Sequence, residues 1–426
     1  MQITRTDTSP TNVTLKVIAT AVELEPIKKH VLASHFADVK VPGFRGGKAP
    51  LHLIEKNINQ QAFLDEFMEH SLNDLYRRAV EQEGLRPVGQ PDVQLKKFVP
   101  YTEMEFEATQ DVIGKVELPD YKKIKLPKTK VTITAKDVDD VIKSLQARMA
   151  ERTEVKRPAK DGDEVVIDFA GADEQGEPIT GATGTDYPLV LGSKSFIPGF
   201  EEEVVGVEPG ASKEFKVTFP KDYGVADLQS KKVTFSITAK KISELIEPKL
   251  DDEFAAKVGP VKTVAELKAD IKKQLESERS WQAEQAYQSE LVKKISEKAK
   301  VDVPEALVEE QIKRMEDEER RNLAYRGQTW EEHLKAEGVD EKLHHDRMRP
   351  DATDRVKAGL VLSEISEQEG IDVTPAELEE RLKTLRGQYE DTGMQEELNK
   401  PDNRQEIASR ILTEKTVQKL VDYASK

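Results

Sequence analysis

Val13, Leu15 and Val17 alternate with polar neighbours, the pattern of a strand with one buried face. The period then lengthens. Glu25-Pro26 opens a short helical stretch through Leu32, and Pro50 is placed for the first position of another helix. A longer helix follows, with Phe63, Phe67 and Leu75 on one face. Gly89-Gln90-Pro91 predicts a break, and Tyr101, Met104 and Phe106 predict a return to strand. Residues 1–112 therefore read as one mixed α and β domain. Residues 113–149 read as a linker, with Pro119, Pro127 and alternating Val131 and Ile133 before a helix over 136–149.

From residue 150 to 246 the pattern changes to short strand-like runs at 164–169, 187–191, 213–219 and 232–237. Asp161-Gly162 and Pro209-Gly210 mark turns among them. Strands at this spacing predict an antiparallel sheet. Residues 247–426 are helical throughout. Thr263 with Glu266, Thr329 with Glu332 and Thr374 with Glu377 have the spacing of capping boxes. Apolar stripes follow at Leu267, Ile271 and Leu275, and at Leu378, Leu382, Leu385 and Tyr389. Pro304 starts a helix carrying Val308, Ile312 and Met315. Narrow stripes on charged helices predict long helices packed in pairs.

Composition agrees with an extended surface: 37% hydrophobic and 34% charged residues in 426. Two to four domains are expected at this length. The net charge is −16, unevenly spread. Residues 1–110 hold 13 Lys/Arg against 15 Asp/Glu, whereas 246–426 hold 31 against 42. An acidic C-terminal part repels nucleic acid, so contact with RNA would need a small local patch in the N-terminal part. The chain has no cysteine, which removes disulfides and thiolate chemistry and fits a reducing cytosol. Neither a signal peptide nor a membrane-spanning stretch is expected.

The candidate chemistry is sparse. The seven histidines are scattered, and His344 and His345 would face different sides of a helix. A zinc site would need carboxylates and histidines distant in sequence, so neither a metal nor another cofactor is expected. No glycine-rich phosphate cradle occurs, which excludes an evident nucleotide site. The acidic run 316–319 reads as a solvated helix face.

One cluster does not suit a core: Gly43-Phe44-Arg45-Gly46-Gly47-Lys48-Ala49-Pro50, preceded by Pro42. Glycine permits close backbone approach, and each proline biases its preceding residue towards extended conformation. Phe44, Arg45 and Lys48 then form an exposed aromatic-and-cation tip suited to docking. The plainer reading is a turn whose Phe44 folds back onto the core.

The middle region carries a second signal. Val166-Ile-Asp-Phe-Ala-Gly171, Tyr187-Pro-Leu-Val-Leu-Gly192, Phe196-Ile-Pro-Gly-Phe-Glu-Glu202 and Phe219-Pro-Lys-Asp-Tyr223 follow in order. This series resembles the FK506-binding-protein type of peptidyl-prolyl isomerase over residues 160–241. The resemblance implies a catalytic aromatic pocket of Phe169, Tyr187, Phe196, Ile197, Phe200 and Phe235, with Phe200 as its floor. Two positions depart from that pattern. The acidic residue expected within 179–184 is absent, and Val225 stands where an aromatic follows the Asp–Tyr pair, so binding of the drug that names the family is not expected. The bland alternative is that these aromatics are simply the core of a small α+β domain.

With both signals in place, the whole chain is similar to the bacterial trigger factor family. That resemblance implies a multidomain α+β protein: an N-terminal α+β docking domain, an antiparallel-sheet FK506-binding-protein-like domain, and an all-α C-terminal domain with elongated helical arms. It implies that Gly43, Phe44, Arg45 and Lys48 contact the large ribosomal subunit near the polypeptide exit tunnel. Gly46 stands where many family members carry a second lysine, which implies docking that is somewhat weaker or more salt-sensitive. The implied partners are nascent and unfolded polypeptides, with a possible homodimer off the ribosome. Leu323, Tyr325, Met348 and Met394 are candidate client contacts or helix-pair core. The implied setting is cytoplasmic and the activity independent of ATP. Two other readings stand beside it: a free isomerase with a helical dimerisation region, and an acidic scaffold carrying an inactive isomerase fold.

Overall fold

The computed structural model describes residues 1–34, 41, 42, 44, 50–173, 175–221, 223, 228–387 and 392–425, without the side chains of residues 180, 392 and 394. These divide into two compact units, residues 1–128 with 285–426 and residues 129–284.

The first unit begins with β1 (Gln2–Ser9), β2 (Asn12–Thr20), α1 (Ala21–Ser34), α2 (Leu51–Asn57), α3 (Gln60–Glu83), β3 (Pro87–Val99) and β4 (Glu103–Val112). The four strands form an antiparallel sheet in the order β1-β2-β4-β3. Val13, Leu15, Val17 and Ala19 are buried on one face of β2, as their alternation predicts. Helix α3 lays Phe63, Phe67, Leu75 and Ala79 into the same core. Its ends follow from local chemistry. The Asn59 side chain accepts from the amides of Gln61 and Ala62, and Gly84 closes the helix in the left-handed region at φ 62°.

Three local expectations shift here. Helix α1 begins at Ala21 and runs through Pro26, because the Glu23 carboxylate takes the Thr20 amide and hydroxyl and anchors the first turn. Pro50 precedes α2 as its cap, its carbonyl accepting from Leu53 and Ile54. Gly89-Gln90-Pro91 does not end a strand. It forms a bulge within β3, with the register shifting between Val88 and Asp92.

The second unit contains α4 (Ala135–Arg148), β5 (Glu151–Glu154), β6 (Glu164–Ala172), β7 (Pro178–Val190), α5 (Phe200–Val204), β8 (Ser212–Thr218), β9 (Lys232–Ile246), α6 (Asp252–Val258) and the first part of α7 (Val264–Lys298). Its five-stranded antiparallel sheet runs β5-β9-β6-β7, with β8 also paired to β9. Val165, Ile167, Leu189, Val217 and Ile237 fill the core beneath Phe200. Away from the sheet, Val138 and Ile142 of α4 pack on Phe254, Leu267 and Ile271. Helix α4 starts with a capping box of Thr134 and Asp137.

The first unit resumes with the end of α7, then α8 (Glu305–Tyr325), α9 (Trp330–Glu337), α10 (Glu341–Gln368), α11 (Pro375–Arg386), α12 (Thr392–Glu397) and α13 (Pro401–Ser425). Packing in pairs holds. Val308 and Ile312 of α8 meet Ala352 and Met348 of α10, and Leu382 of α11 meets Ile407 and Ile411 of α13. The capping boxes at Thr329 and Thr374 form in full. At Thr263 the Glu266 carboxylate reaches the Lys262 amide instead, at 2.7 Å.

Part of the expected linker belongs to a core. Val116, Tyr121 and Leu126 are buried against Leu291, Ile295, Val361 and Leu420. Glu117 exchanges backbone hydrogen bonds with Lys300, at 3.0 and 3.1 Å. Glu369 fastens the same segment, accepting from the Tyr121 and Tyr423 hydroxyls at 2.7 Å each and pairing with Lys122. Among the described residues no helix is long and apolar enough to cross a membrane.

Candidate functional site

Period-two alternation along antiparallel strands brings distant aromatics to one end of the second unit's core. Phe169 projects from β6, Tyr187 from β7 and Phe235 from β9, while Phe196 and Ile197 lie in the loop before α5 and Phe200 opens that helix. All six form one cluster with the sheet except Tyr187, which joins it through ring contacts. Phe169 makes edge contacts with Tyr187 and Phe196 at 5.9 and 5.3 Å. Phe200 meets Phe196 at 4.4 Å and Phe235 at 5.1 Å. Packing at these distances, edge-to-face in all but the tilted Phe196–Phe200 pair, fixes the rings against one another and adds to burial.

The six residues hold different stations. Phe200 is fully buried, at 0% exposure, and forms a floor beneath the others. Phe169, Phe196, Ile197 and Phe235 line a cavity of about 480 Å³. Tyr187 stands at 41% exposure beside Phe196, outside the lining. The cavity has a further wall of Phe219, Tyr223 and Leu228 that the sequence reading does not assign. Its signal was present in the Phe219-Pro-Lys-Asp-Tyr223 run, where Phe219 and Tyr223 stack edge-on at 4.6 Å.

Two glycines make room for these rings. A Cβ built on Gly184 would sit 2.5 Å from the Phe169 ring, and one on Gly171 would sit 2.9 Å from the Phe235 ring. Phe169 on β6 and Phe235 on β9 thus fit because the residues paired with them, Gly184 and Gly171, have no side chain.

Glu201 is the other unassigned part of the site. Its buried carboxylate accepts from the amides of Gly192, Lys194 and Phe196 at 2.8, 3.0 and 3.2 Å, and from the Ser193 hydroxyl at 3.3 Å. Burial pushes this carboxyl up, but those donors together outweigh it and leave it below its usual range. A charged side chain thus ties down the loop that delivers Phe196. Its sequence signal was only the first of three glutamates after Phe200, which periodicity cannot separate from a solvated helix face.

The chemistry available in the cavity is desolvation and shape. Among the described residues its lining is mostly apolar, with the hydroxyls of Ser195 and Tyr223 and no acid–base pair. A ring of roughly proline size can be held against Phe169, Phe196 and Phe235 with water kept away from its amide.

Of the N-terminal docking residues, Phe44 is described and Gly43, Arg45 and Lys48 lie outside the described residues. Phe44 is 45% exposed, and its amide donates to the Val41 carbonyl at 3.1 Å. Val41 is buried, so the core ends there and Phe44 does not fold back into it.

Three family models match. They are described as "Bacterial trigger factor protein (TF)" over residues 1–145, "FKBP-type peptidyl-prolyl cis-trans isomerase" over 155–241, and "Bacterial trigger factor protein (TF) C-terminus" over 263–422. A trigger factor of Carboxydothermus hydrogenoformans is 34% identical over 427 residues, spanning 100% of this chain and 99% of its own. Those of Bacillus pumilus and Caldicellulosiruptor bescii are 37% and 34% identical over 82% and 88% of this chain, and over 83% and 86% of their own. The aromatic cavity lies within the residues matched by the isomerase model, and the flanking matches account for both parts of the other unit. The chain belongs to the trigger factor family of chaperones and carries an FKBP-type peptidyl-prolyl cis-trans isomerase domain at its centre.

Proposed function

We propose that this protein meets nascent chains at the ribosomal exit tunnel in the cytoplasm, holds their unfolded segments and isomerises their X–Pro bonds without ATP. The observation that carries the reading is the aromatic cavity, walled by Phe169, Phe196 and Phe235 above the buried floor of Phe200. An X–Pro bond isomerises slowly because its partial double bond must be broken, over a barrier of about 18–20 kcal/mol. The twisted amide is less polar than the planar one. A dry aromatic cavity binds it better than the ground state, and that difference is the catalysis. Tyr187, half in solvent beside Phe196, is placed to steady the substrate backbone at the rim.

Docking is assigned to Gly43, Phe44, Arg45 and Lys48 by the family pattern, and the exposure of Phe44 supports it. Arg45 and Lys48 would make charge-assisted contacts to phosphate or carboxylate, with Phe44 as the apolar anchor. Client binding is assigned to the helices of residues 285–426. Tyr325, at 90% exposure, is the residue best placed for it, whereas Leu323 is buried and Met348 packs on α8.

The test is co-sedimentation with vacant bacterial ribosomes across salt, comparing wild type with a Phe44→Ala, Arg45→Ala, Lys48→Ala variant. Salt-sensitive pelleting of the wild type, lost in the variant, is expected. Wild type that stays in the supernatant at low salt would overturn the ribosome assignment and leave a free isomerase.

A further inference from the structure

Near the junction of α8, α9 and α10, three side chains with metal-ligand chemistry converge. Glu319 comes from α8, His333 from α9 and His344 from α10, and one ligand atom of each lies within 4.8 Å of the others. Glu319 Oε1 is 3.1 Å from His333 Nε2, and Oε2 is 3.4 Å from His344 Nε2. Metal–ligand bonds of about 2.0–2.1 Å put the donors of a tetrahedral zinc site about 3.3–3.4 Å apart. The two separations, each to a different oxygen of the Glu319 carboxylate, lie near that edge length.

A pair of ordinary ion-pair hydrogen bonds would give similar distances, but the directions do not fit them. His333 Nε2 is buried and has no hydrogen-bond partner in spite of its nearby carboxylate. His344, only 5% exposed, leaves its Nδ1 buried and unpartnered as well. A buried ring nitrogen such as His333 Nε2, facing a carboxylate without a hydrogen bond, is costly and uncommon, and a bound ion is among its recognised causes.

The surroundings hold the rings in place. Trp330 packs against His344 at 4.8 Å and against His333 at 5.6 Å. Trp330 is itself covered by the Arg320 guanidinium at 4.3 Å, and its indole N–H donates to Glu341 at 3.2 Å. Glu319 is part-exposed and leaves a way in. Glu337, with Oε1 3.5 Å from His333 Nε2, borders the cluster without belonging to it, so a fourth position is left for solvent.

We propose that Glu319, His333 and His344 bind a divalent cation of the zinc class, which staples α8, α9 and α10 together. Imidazole and carboxylate donors suit zinc and its neighbours rather than calcium or magnesium. His344 is not oriented by a hydrogen bond from its other nitrogen, Nδ1, the support that tight sites use. The site is therefore exchangeable, and its role is to set how firmly this helical junction is held.

The test uses the full chain after dialysis against chelator, titrated with Co²⁺ alone and then displaced with Zn²⁺. Expected is the strong visible absorption of tetrahedral Co²⁺ at one ion per chain, bleached by zinc. His333→Gln and His344→Gln should each weaken it at least about tenfold, as losing a ligand-supporting group already does. Glu319→Gln keeps the side chain's shape and should also weaken it. His345→Gln should leave it unchanged, since His345 pairs with Glu309 and Glu316 instead. Absence of the signal in wild type, or its survival in both His333→Gln and Glu319→Gln, overturns the site. Those two variants decide the matter if the more buried His344→Gln fails to fold. In parallel, zinc should slow amide exchange across residues 319–344 in wild type but not in Glu319→Gln.

Discussion

The isomerase sheet and the paired helices solve the same problem, burying apolar surface, in opposite ways. The sheet gathers Phe169, Phe196, Phe200 and Phe235 into one interlocked cluster, in which each ring touches at least two others. The α8–α10 and α11–α13 pairs each bury a few aliphatic residues, as with Val308 and Ile312 against Ala352, in clusters separate from one another. A change in the sheet should therefore spread through the whole site, while one in the helices should stay local. One region holds a shape for chemistry; the other keeps many weakly coupled surfaces.

The largest expected effect tests the sheet. Phe200→Ala removes the floor and should cost about 3–5 kcal/mol of that unit's stability. X–Pro turnover should vanish with it, and a proline-peptide assay showing normal turnover would sink the cavity assignment. Next, Ile312→Ala should cost about 2–5 kcal/mol at the α8–α10 pair. Hydrogen exchange should report that loss in α8 and α10 while peptide turnover stays at the wild-type value. A fall in turnover would break the claim that helical changes are local.

Smaller again is Glu201→Gln, which removes the charge that holds the Gly192–Phe196 amides. A loss of about 1.4 kcal/mol in placing Phe196 would lower kcat/KM about tenfold. The protein should still melt cooperatively. A milder comparison comes from acid. The Glu369 carboxyl, held by Lys122, Tyr423 and Tyr121, is lowered from its ordinary 4.5 to about 2. Its folded value is depressed, so its contribution is complete above about pH 4.5 and is lost as pH falls through about 2. Acid titration should release the 113–128 segment over that window, and Glu369→Gln should flatten the response. Smallest in stability is Tyr325→Ala, within about 0.5 kcal/mol because the side chain is exposed. Its effect should appear only as weaker capture of an unfolded polypeptide.

The two regions also differ in how much the sequence discloses. Regular periodicity located the strands at Val13–Val17 and 164–169, and the helix faces of Phe63 and Phe67, because one buried face leaves its period in the chain. Capping chemistry marked α9 and α11 to the residue. The same rule passed over α4, where Asp137 serves in place of the glutamate the motif names. Gly89-Gln90-Pro91 read as a break because a local signal cannot say whether a neighbouring strand will pair across it. In the site, the aromatics were legible through their motifs, but Glu201 and the Glu319, His333 and His344 cluster were not. Their roles depend on partners brought near by tertiary folding, and polar residues in helices look alike in sequence whether they face water or one another. The segment 113–128 misled for a related reason: its prolines suggest a spacer, while its few apolar side chains find their cover almost 300 residues away.

That last pairing bears on how the protein is made. Tyr121 and Leu126 leave the ribosome long before Leu420 and Val421, with which they share a core. The whole of residues 129–284, with its cavity complete, is synthesised in the interval. Contacts so distant in sequence form slowly and late. The catalytic unit can thus be finished while the framework that encloses its ends in sequence is still open, and α13 is the piece that closes it.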